Sequence, residues 1–310
     1  MSDLDNQGKF EDGVWSAAPT PFNAKMEVDV GAIRRMVAHH IRLGVRGLFL
    51  GGTNGEGPWM TESQRRLLVR SVARYTRKRM RLAVQVTDNS AARIVDNINM
   101  AAEDGADIAV IAPPYFPPRK NPDILLKLYL NAIDRSCLPI GIYDRAMVGG
   151  ALVPDDVMQA VLMRKKVIML KDSSANMDRM QRAVAVKRRR HNLQLLNGWE
   201  FNCLPYLKAG YDGLLLGGGV FNGYLAGQIV AAAAAGQWAR AGRLQLKMNR
   251  MMYAVYGGKK ITCWLSGEKY LLTRMRVIRG WRNYPDYPLT ASCRKAIARV
   301  LRRDAAWLFP

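Results

Sequence analysis

The sequence is poor in the residues that build metal sites and disulfide frameworks. Its 310 residues include four cysteines and three histidines. The cysteines are far apart and form no CxxC pair, and two of the histidines, His39 and His40, are adjacent, so no zinc-ligand spacing is present. These absences predict a metal-free cytoplasmic protein with reduced thiols.

Long apolar runs are also absent. No stretch reaches the roughly 18–20 residues that a membrane-spanning helix needs. The first thirteen residues, MSDLDNQGKFEDG, are polar and acidic, unlike a signal peptide. Hydrophobic residues nevertheless make up 49% of the chain, which is enough for a large core. The composition therefore predicts a folded protein that does not enter a membrane.

Acidic residues are too few to balance the basic ones. The chain has 47 Lys and Arg against 25 Asp and Glu, a formal net charge of +22. Such an excess is compatible with binding to nucleic acid or to an anionic surface. No helix-turn-helix, zinc finger or aromatic RNA-binding motif accompanies the charge, however. We therefore favour a solvated basic exterior, which also helps to attract an anionic substrate.

What the sequence does contain is a regular alternation of short apolar runs and amphipathic segments. The segment 29–44, for example, has Val30, Ile33, Val37 and Ile41 at the spacing of one helix face. The apolar runs are of strand length and recur at intervals of roughly 20–35 residues. They begin near residues 13, 47, 82, 108, 138, 167, 193 and 213.

Eight such units predict an α/β fold, a (β/α)8 TIM barrel with a C-terminal helical extension. A doubly wound open sheet would also alternate, but no G-x-G-x-x-G follows the first strand. We expect the barrel to occupy residues 10–236. Residues 237–310 have no further alternating strands and no flexible linker before them, and are expected to form helices packed on the barrel.

Two polar residues end neighbouring strands on the face where such barrels carry their active sites. Tyr143 ends the fifth predicted strand, and Lys171, in KVIMLKDSS (166–174), ends the sixth. Burial would lower the pKa of a lysine from about 10.4 and let the neutral amine attack a carbonyl, with the phenol as proton shuttle. Taken singly, the lysine could be exposed or ion-paired, and the tyrosine a packed aromatic residue.

Two glycine-rich stretches lie on the same face. GGTNGEG (51–57) offers backbone N–H groups together with the side chains of Thr53 and Asn54, a combination that suits a carboxylate. It could equally be a tight turn. LGGGV (216–220) follows the eighth predicted strand, where it could bind phosphate or simply allow close backbone packing.

These motifs together make the chain resemble the dihydrodipicolinate synthase/N-acetylneuraminate lyase family of class I, Schiff-base-forming pyruvate aldolases. The family's G-[TS]-T-G-E, Y-N and K-[DE] motifs correspond to residues 52–56, 143–144 and 171–172. The resemblance runs from about residue 14 to beyond residue 219. Each motif alone is weak, but their order and spacing are specific.

The resemblance implies a lyase in which Lys171 forms a Schiff base with pyruvate or another small-molecule 2-oxo acid. Tyr143 would be the proton donor and acceptor, with Thr53 in its relay. Thr53 and Asn54 would bind the substrate carboxylate, and the main chain of Leu215 would face the bound pyruvate. The resemblance also implies no metal or organic cofactor, and a homo-oligomer, a tetramer or dimer, that the C-terminal helices help to assemble.

Departures from the family pattern bear on the substrate. Phe116 occupies the position of a tyrosine that 4-hydroxy-tetrahydrodipicolinate synthases borrow from a neighbouring subunit, unless Tyr115 takes that place. Val148 replaces their substrate-binding arginine, whereas Arg145 lies two residues after Tyr143. This order looks more like that of members acting on 2-oxo-3-deoxy sugar acids, as aldolases or dehydratases, with Arg145 binding substrate.

We therefore expect activity on a 2-oxo-3-deoxy sugar acid or a related compound, by aldol cleavage, condensation or dehydration. One alternative is a true 4-hydroxy-tetrahydrodipicolinate synthase. An alternative of another class is a non-catalytic basic barrel that binds nucleic acid or anionic surfaces, which the missing nucleic-acid motifs disfavour.

Overall fold

Eight parallel strands form a closed barrel in which each strand pairs with the next along the chain and the eighth pairs with the first. This computed structural model describes residues 13–116, 121–145 and 153–310. The predicted (β/α)8 barrel is thereby confirmed, and the open sheet is excluded because the sheet closes on itself. The strands are β1 (Gly13–Ala17), β2 (Gly47–Leu50), β3 (Arg81–Gln85), β4 (Ile108–Ile111), β5 (Ile140–Asp144), β6 (Val167–Asp172), β7 (Gln194–Asn197) and β8 (Gly213–Leu216).

A helix follows each strand, and local capping explains where several of them begin. Thr61 accepts a hydrogen bond from the Gln64 N–H, and the Gln64 side chain accepts one from the Thr61 N–H, a capping box. The side chains of Asp29 and Asn176 also accept hydrogen bonds from main-chain N–H groups in the first turns of two other helices. The helices are α1 (Val30–Arg42), α2 (Glu62–Thr76), α3 (Ala91–Glu103), α4 (Pro122–Arg135), α5 (Asp155–Leu162), α6 (Met177–Arg189), α7 (Leu204–Ala209) and α8 (Gly219–Ala234).

The strands separate two hydrophobic cores, one inside the barrel and one between the barrel and its helices. On β8, Leu215 belongs to the inner core, whereas Leu214 and Leu216 belong to the outer one. This division follows from the alternation of side chains along a strand. The inner core also contains the aromatic residues Trp15 and Phe49.

Pairing between β5 and β6 brings the two predicted catalytic residues side by side. Tyr143 and Lys171 are register partners, and Lys171 is in turn the partner of Leu196 on β7. Because all strands run in the same direction, these residues lie at the carboxyl ends of the strands, at the catalytic mouth of the barrel.

Four further helices follow the barrel: α9 (Trp238–Val255), α10 (Trp264–Arg274), α11 (Ala291–Arg303) and α12 (Ala305–Leu308). The helix α9 packs on α8 and on α11, and α12 also packs on α8. The domain boundary near residue 236 stays a prediction. Within the described ranges, no helix combines the length and the apolar character needed to cross a membrane.

Candidate active site

The amino group of Lys171 lies in an aromatic enclosure at the barrel mouth. Its Nζ is 4.1 Å from the centroid of the Tyr143 ring and 4.8 Å from that of the Phe49 ring. The two rings meet edge to face, with centroids 5.8 Å apart. Lys171 is only 5% exposed. The alternative of a lysine extended into solvent is therefore excluded.

This enclosure changes the acid–base behaviour of the amine. Burial lowers the pKa of Lys171 from its ordinary value of 10.5, since the charged form loses its hydration. The phenol of Tyr143 and the carboxyl group of Glu200 oppose this shift, whereas the nearby positive charge of Arg145 adds to it. Desolvation is the largest contribution, so the neutral, nucleophilic amine is favoured relative to a lysine in water.

A glycine makes room for the lysine side chain. Gly198 directly follows β7, and a Cβ atom placed there would lie 3.2 Å from Cε of Lys171 and would collide with the hydroxyl of Ser173. A larger residue at position 198 would therefore force Ser173 to move and would crowd the side chain of Lys171.

The acidic residues that follow Tyr143 and Lys171 along the chain are engaged by groups outside the barrel mouth. Asp172 accepts a 2.6 Å hydrogen bond from the hydroxyl of Tyr211. Asp144 accepts a 2.7 Å hydrogen bond from the guanidinium of Arg179, which is itself buried. These two contacts hold the carboxyl ends of β5 and β6.

The turn after β2 supplies Thr53 and Asn54, as predicted, but their side chains differ in availability. The Thr53 hydroxyl is buried and has no hydrogen-bond partner among the described residues, so its relay to Tyr143 stays a prediction. The NH2 group of Asn54 already faces carbonyl oxygens of Ala17 and Gly217 and a carboxyl oxygen of Glu268. The main-chain N–H groups of Thr53 and Asn54 donate to no backbone carbonyl in the described ranges.

The carboxyl group of Glu200 reaches the site from the segment after β7. It accepts hydrogen bonds from the Gly218 N–H at 2.7 Å and from the Tyr256 hydroxyl at 2.9 Å. Burial raises the pKa of Glu200, against the effect of these two hydrogen bonds and of the charge on Lys171. A Cβ atom built on Gly217 would lie 3.5 and 3.7 Å from the two carboxyl oxygens.

The LGGGV stretch serves packing rather than phosphate binding. The Gly218 N–H donates to Glu200, so a carboxyl group occupies the place beside this N–H. A Cβ atom on Gly219 would lie 2.8 Å from Cα of Ser16, which shows how closely α8 approaches β1. Both observations support the close-packing interpretation for Gly218 and Gly219.

Tyr115, and not Phe116, points toward the barrel mouth. The Tyr115 hydroxyl accepts a hydrogen bond from the side chain of Gln85, the last residue of β3. The side chain of Phe116 points into solvent and is 81% exposed. Val148, the other position on which the substrate argument depends, lies outside the described residues.

Three residues of the site were missed in the sequence: Glu200, Tyr256 and Glu268. Glu200 had a usable signal, since it follows the seventh predicted strand by three residues on the catalytic face. Tyr256 and Glu268 had none, because they come from the helical region beyond the barrel. Leu215 is buried in the inner core on β8 beside Trp15 of β1, and its contact with bound pyruvate stays a prediction.

A closed parallel barrel with a buried lysine and a tyrosine on adjacent strand ends defines a class of enzyme, the aldolases that work through an amine. The model of the dihydrodipicolinate synthetase family matches residues 10–303. The chain belongs to this family, and is a lyase of the Schiff-base, class I aldolase type.

Individual relatives divide between two activities. The chain is 27% identical to an N-acetylneuraminate lyase of Rhizobium meliloti over 94% of its own length and 95% of the relative's. It is 26% identical to a 4-hydroxy-tetrahydrodipicolinate synthase of Anaeromyxobacter over 73% of its own length and 77% of the relative's.

Solved structures share the fold. The dihydrodipicolinate synthase of Thermotoga maritima superimposes with a TM-score of 0.86 at 22% identity, over 96% of this chain and all of that one. A monomeric dihydrodipicolinate synthase variant superimposes with a TM-score of 0.86 at 21% identity, over 96% of this chain and 97% of that one.

Proposed function

We propose that the protein cleaves, forms or dehydrates a 2-oxo-3-deoxy sugar acid, or a related compound, through an imine on Lys171. The observation that carries this proposal is the burial of the lysine amine against the ring of Tyr143. An amine in that place is deprotonated more easily than in water, and a phenol in contact with it can move protons.

In the cleavage direction, the neutral amine of Lys171 adds to C2 of the substrate. Tyr143 gives its proton to the hydroxyl group formed there, which leaves as water, and an iminium remains. The phenolate of Tyr143 then takes the proton of the C4 hydroxyl. The C3–C4 bond breaks, its electron pair passes to the iminium to give an enamine, and an aldehyde departs.

The enamine is then converted to pyruvate. Tyr143 returns its proton to C3, and water attacks the regenerated iminium. Pyruvate and the free amine of Lys171 are released while a proton goes back to the phenolate. Condensation is the reverse of this sequence. In dehydration, the phenolate of Tyr143 would instead take a proton from C3 to give the enamine and then return it to the C4 hydroxyl, which leaves as water. Hydrolysis of the resulting conjugated iminium would release the unsaturated product and restore the phenol and the free amine.

The turn after β2 is the proposed site of the substrate carboxylate. The hydroxyl of Thr53 and the main-chain N–H groups of Thr53 and Asn54 are donors without a competing backbone acceptor among the described residues. Donors of this kind suit an anionic group. Because the side-chain NH2 of Asn54 is already engaged, we assign only its main-chain N–H to the carboxylate. Leu215 would face the bound pyruvate from β8.

Oxygen atoms near Gly217 support a hydroxylated substrate. Glu200 and the side-chain oxygen of Asn54 surround the space above Gly217, at 3.5 and 3.9 Å from the position of a Cβ atom there. Oxygen atoms of this kind accept hydrogen bonds, and sugar hydroxyl groups donate them. Arg145 would bind the substrate near Lys171, with which it interacts electrostatically.

Synthesis of 4-hydroxy-tetrahydrodipicolinate is the second candidate, because the Tyr115 hydroxyl lies at the barrel mouth, 3.3 Å from the side-chain nitrogen of Gln85. The family match over residues 10–303 does not favour a non-catalytic barrel that binds nucleic acid. Assembly as a tetramer or dimer, a cytoplasmic location and the absence of a cofactor stay predictions.

Pyruvate release from a panel of 2-oxo-3-deoxy sugar acids tests the first candidate. Dehydration is followed on the same panel by the loss of substrate without pyruvate release. Condensation of pyruvate with aspartate 4-semialdehyde tests the second candidate. If the protein condenses pyruvate with aspartate 4-semialdehyde and turns over none of the sugar acids, the sugar-acid proposal is contradicted.

A further inference from the structure

The side chain of Asn54 is held in one orientation. Its Nδ2 donates to the main-chain carbonyl of Ala17 at 2.8 Å and to that of Gly217 at 3.3 Å. Since carbonyl oxygens can only accept, the NH2 end of the amide must face them. The other end, Oδ1, is buried, has no hydrogen-bond partner among the described residues and lies beside the space above Gly217.

The third acceptor of this amide comes from the C-terminal extension. Glu268 lies in α10 and is fully buried, and its Oε1 accepts from Asn54 Nδ2 at 2.9 Å. The next residue, Lys269, forms an ion pair with Glu56 at the other end of the same turn. Consecutive residues of α10 thus hold both ends of the turn that carries Asn54.

We propose that Glu268 is a positioning residue that sets substrate specificity. By fixing the NH2 group of Asn54, it keeps Asn54 Oδ1 directed toward the space above Gly217, next to Glu200. A substrate hydroxyl group seated there would find acceptors from Asn54 and Glu200. The inference rests on the proposed function, since it concerns the part of the substrate that lies beyond the imine.

The surroundings of Glu268 favour the neutral form of its carboxyl group. Burial raises its pKa well above the ordinary value of 4.5, and the neighbouring carboxyl groups of Glu200 and Glu56 act in the same direction. The hydrogen bond from Asn54 and the charge of Lys269 act in the opposite direction. A protonated carboxyl group still accepts through its carbonyl oxygen, as the side-chain amide of glutamine does.

Two substitutions of this residue separate positioning from a general structural role. Glu268→Gln keeps an acceptor for Asn54, and we expect kinetic constants within about twofold of the parent. Glu268→Met removes it in a side chain of similar length. We expect kcat/KM for 2-oxo-3-deoxygluconate to fall about tenfold, as for one lost hydrogen bond. Cleavage of 4-hydroxy-2-oxopentanoate, which has a single hydroxyl group, should change less than about twofold.

The imine step serves as the internal control. Reductive trapping of pyruvate on Lys171 should proceed at the parent rate in both variants. Equal losses for trapping and for both substrates would mean that Glu268 only supports the fold, and would overturn the inference. So would an unchanged preference between the substrates in Glu268→Met. Absence of trapping in the parent protein would instead overturn the proposed function.

If Glu268→Met does not fold, two glycine substitutions test the same space without any change in α10. The Cβ of Gly217→Ala would occupy the proposed hydroxyl position while keeping ordinary contact distances of 3.5 Å or more. It should lower kcat/KM for 2-oxo-3-deoxygluconate about tenfold and spare pyruvate trapping. Gly227→Ala, whose Cβ meets nothing within 4 Å, is the matched control. An unchanged substrate preference in Gly217→Ala would overturn the inference.

Discussion

Two lysines lie buried near the mouth of the barrel, and their neighbours give them different chemistry. Lys269 is fully buried and forms an ion pair with Glu56. Lys171 is almost as deeply buried, but it contacts the rings of Phe49 and Tyr143. Both amines lie over aromatic rings, that of Lys269 at 4.5 Å from the centroid of Phe22, but among the described residues only Lys269 also contacts a carboxyl group, and only Lys171 lies beside a phenol.

The comparison predicts that burial alone does not make a lysine a nucleophile. Desolvation lowers the pKa of both amines. Next to Lys269, the contacting carboxyl group of Glu56 opposes the shift and occupies the amine. The contacting group beside Lys171 is Tyr143, which can also exchange protons with a substrate. We therefore propose that the contacting group distinguishes a structural lysine, Lys269, from a reactive one, Lys171.

The largest effect is expected when the reactive lysine is removed. Lys171→Met keeps the length of the apolar stem but has no amine, so we expect kcat to fall at least about a thousandfold. Steady-state assays with the best substrate of the sugar-acid panel measure this loss. The melting temperature should not fall, because a buried amine without a contacting carboxyl group is replaced by an apolar side chain. Residual activity within tenfold of the parent would contradict the assignment.

Removal of the structural lysine should act on stability. Lys269→Met removes the positively charged partner of the buried carboxyl group of Glu56, which in the described part of the chain keeps only its hydrogen bond from the Tyr284 N–H. Breaking such a pair costs about 3 kcal/mol or more of unfolding free energy. Denaturant titration of the variant measures this cost. Lys78→Met is the control, since the exposed pair of Lys78 with Asp107 at 3.5 Å is expected to contribute less than about 1 kcal/mol. Equal stabilities of the two variants would remove the distinction between the lysines.

The phenol that contacts Lys171 gives the next effect. Tyr143→Phe keeps the ring and removes the hydroxyl, so we expect kcat to fall about a hundredfold, the usual size of a lost proton-transfer group. Tyr129→Phe is the matched control, because Tyr129 is buried and its hydroxyl has no hydrogen-bond partner among the described residues. The two variants are compared in the same steady-state assay. Similar rates for both would exclude Tyr143 as the proton shuttle.

The smallest effect concerns the pH dependence of imine formation. The pKa of Lys171 is lowered, so its rate of trapping with pyruvate and cyanoborohydride should rise with pH. The midpoint of this rise should lie below pH 10.5, the ordinary pKa of a lysine. Glu200 raises this pKa, so Glu200→Gln should move the inflection to lower pH. Glu103→Gln, a surface change, should leave it in place. A shift to higher pH in Glu200→Gln would contradict the electrostatic account.

The barrel could be predicted because each of its strands appears in the sequence as a separate apolar run. Lys171 and Tyr143 could be predicted as neighbours because parallel strands in chain order place their carboxyl ends side by side. The occupied state of the Asn54 amide could not be predicted, since its acceptors are distant in sequence, at positions 17, 217 and 268. Glu268 lies beyond the barrel, where no strand-end rule applies.

The most direct test of the distinction between the two lysines is to map the amine that reacts. The protein is incubated with pyruvate and borohydride, digested and analysed by peptide mass spectrometry. A reduced pyruvyl group on Lys171, with Lys269 unmodified, is the expected result. Modification of Lys269, or no modification of Lys171 at saturating pyruvate while a control aldolase is labelled, would contradict the account.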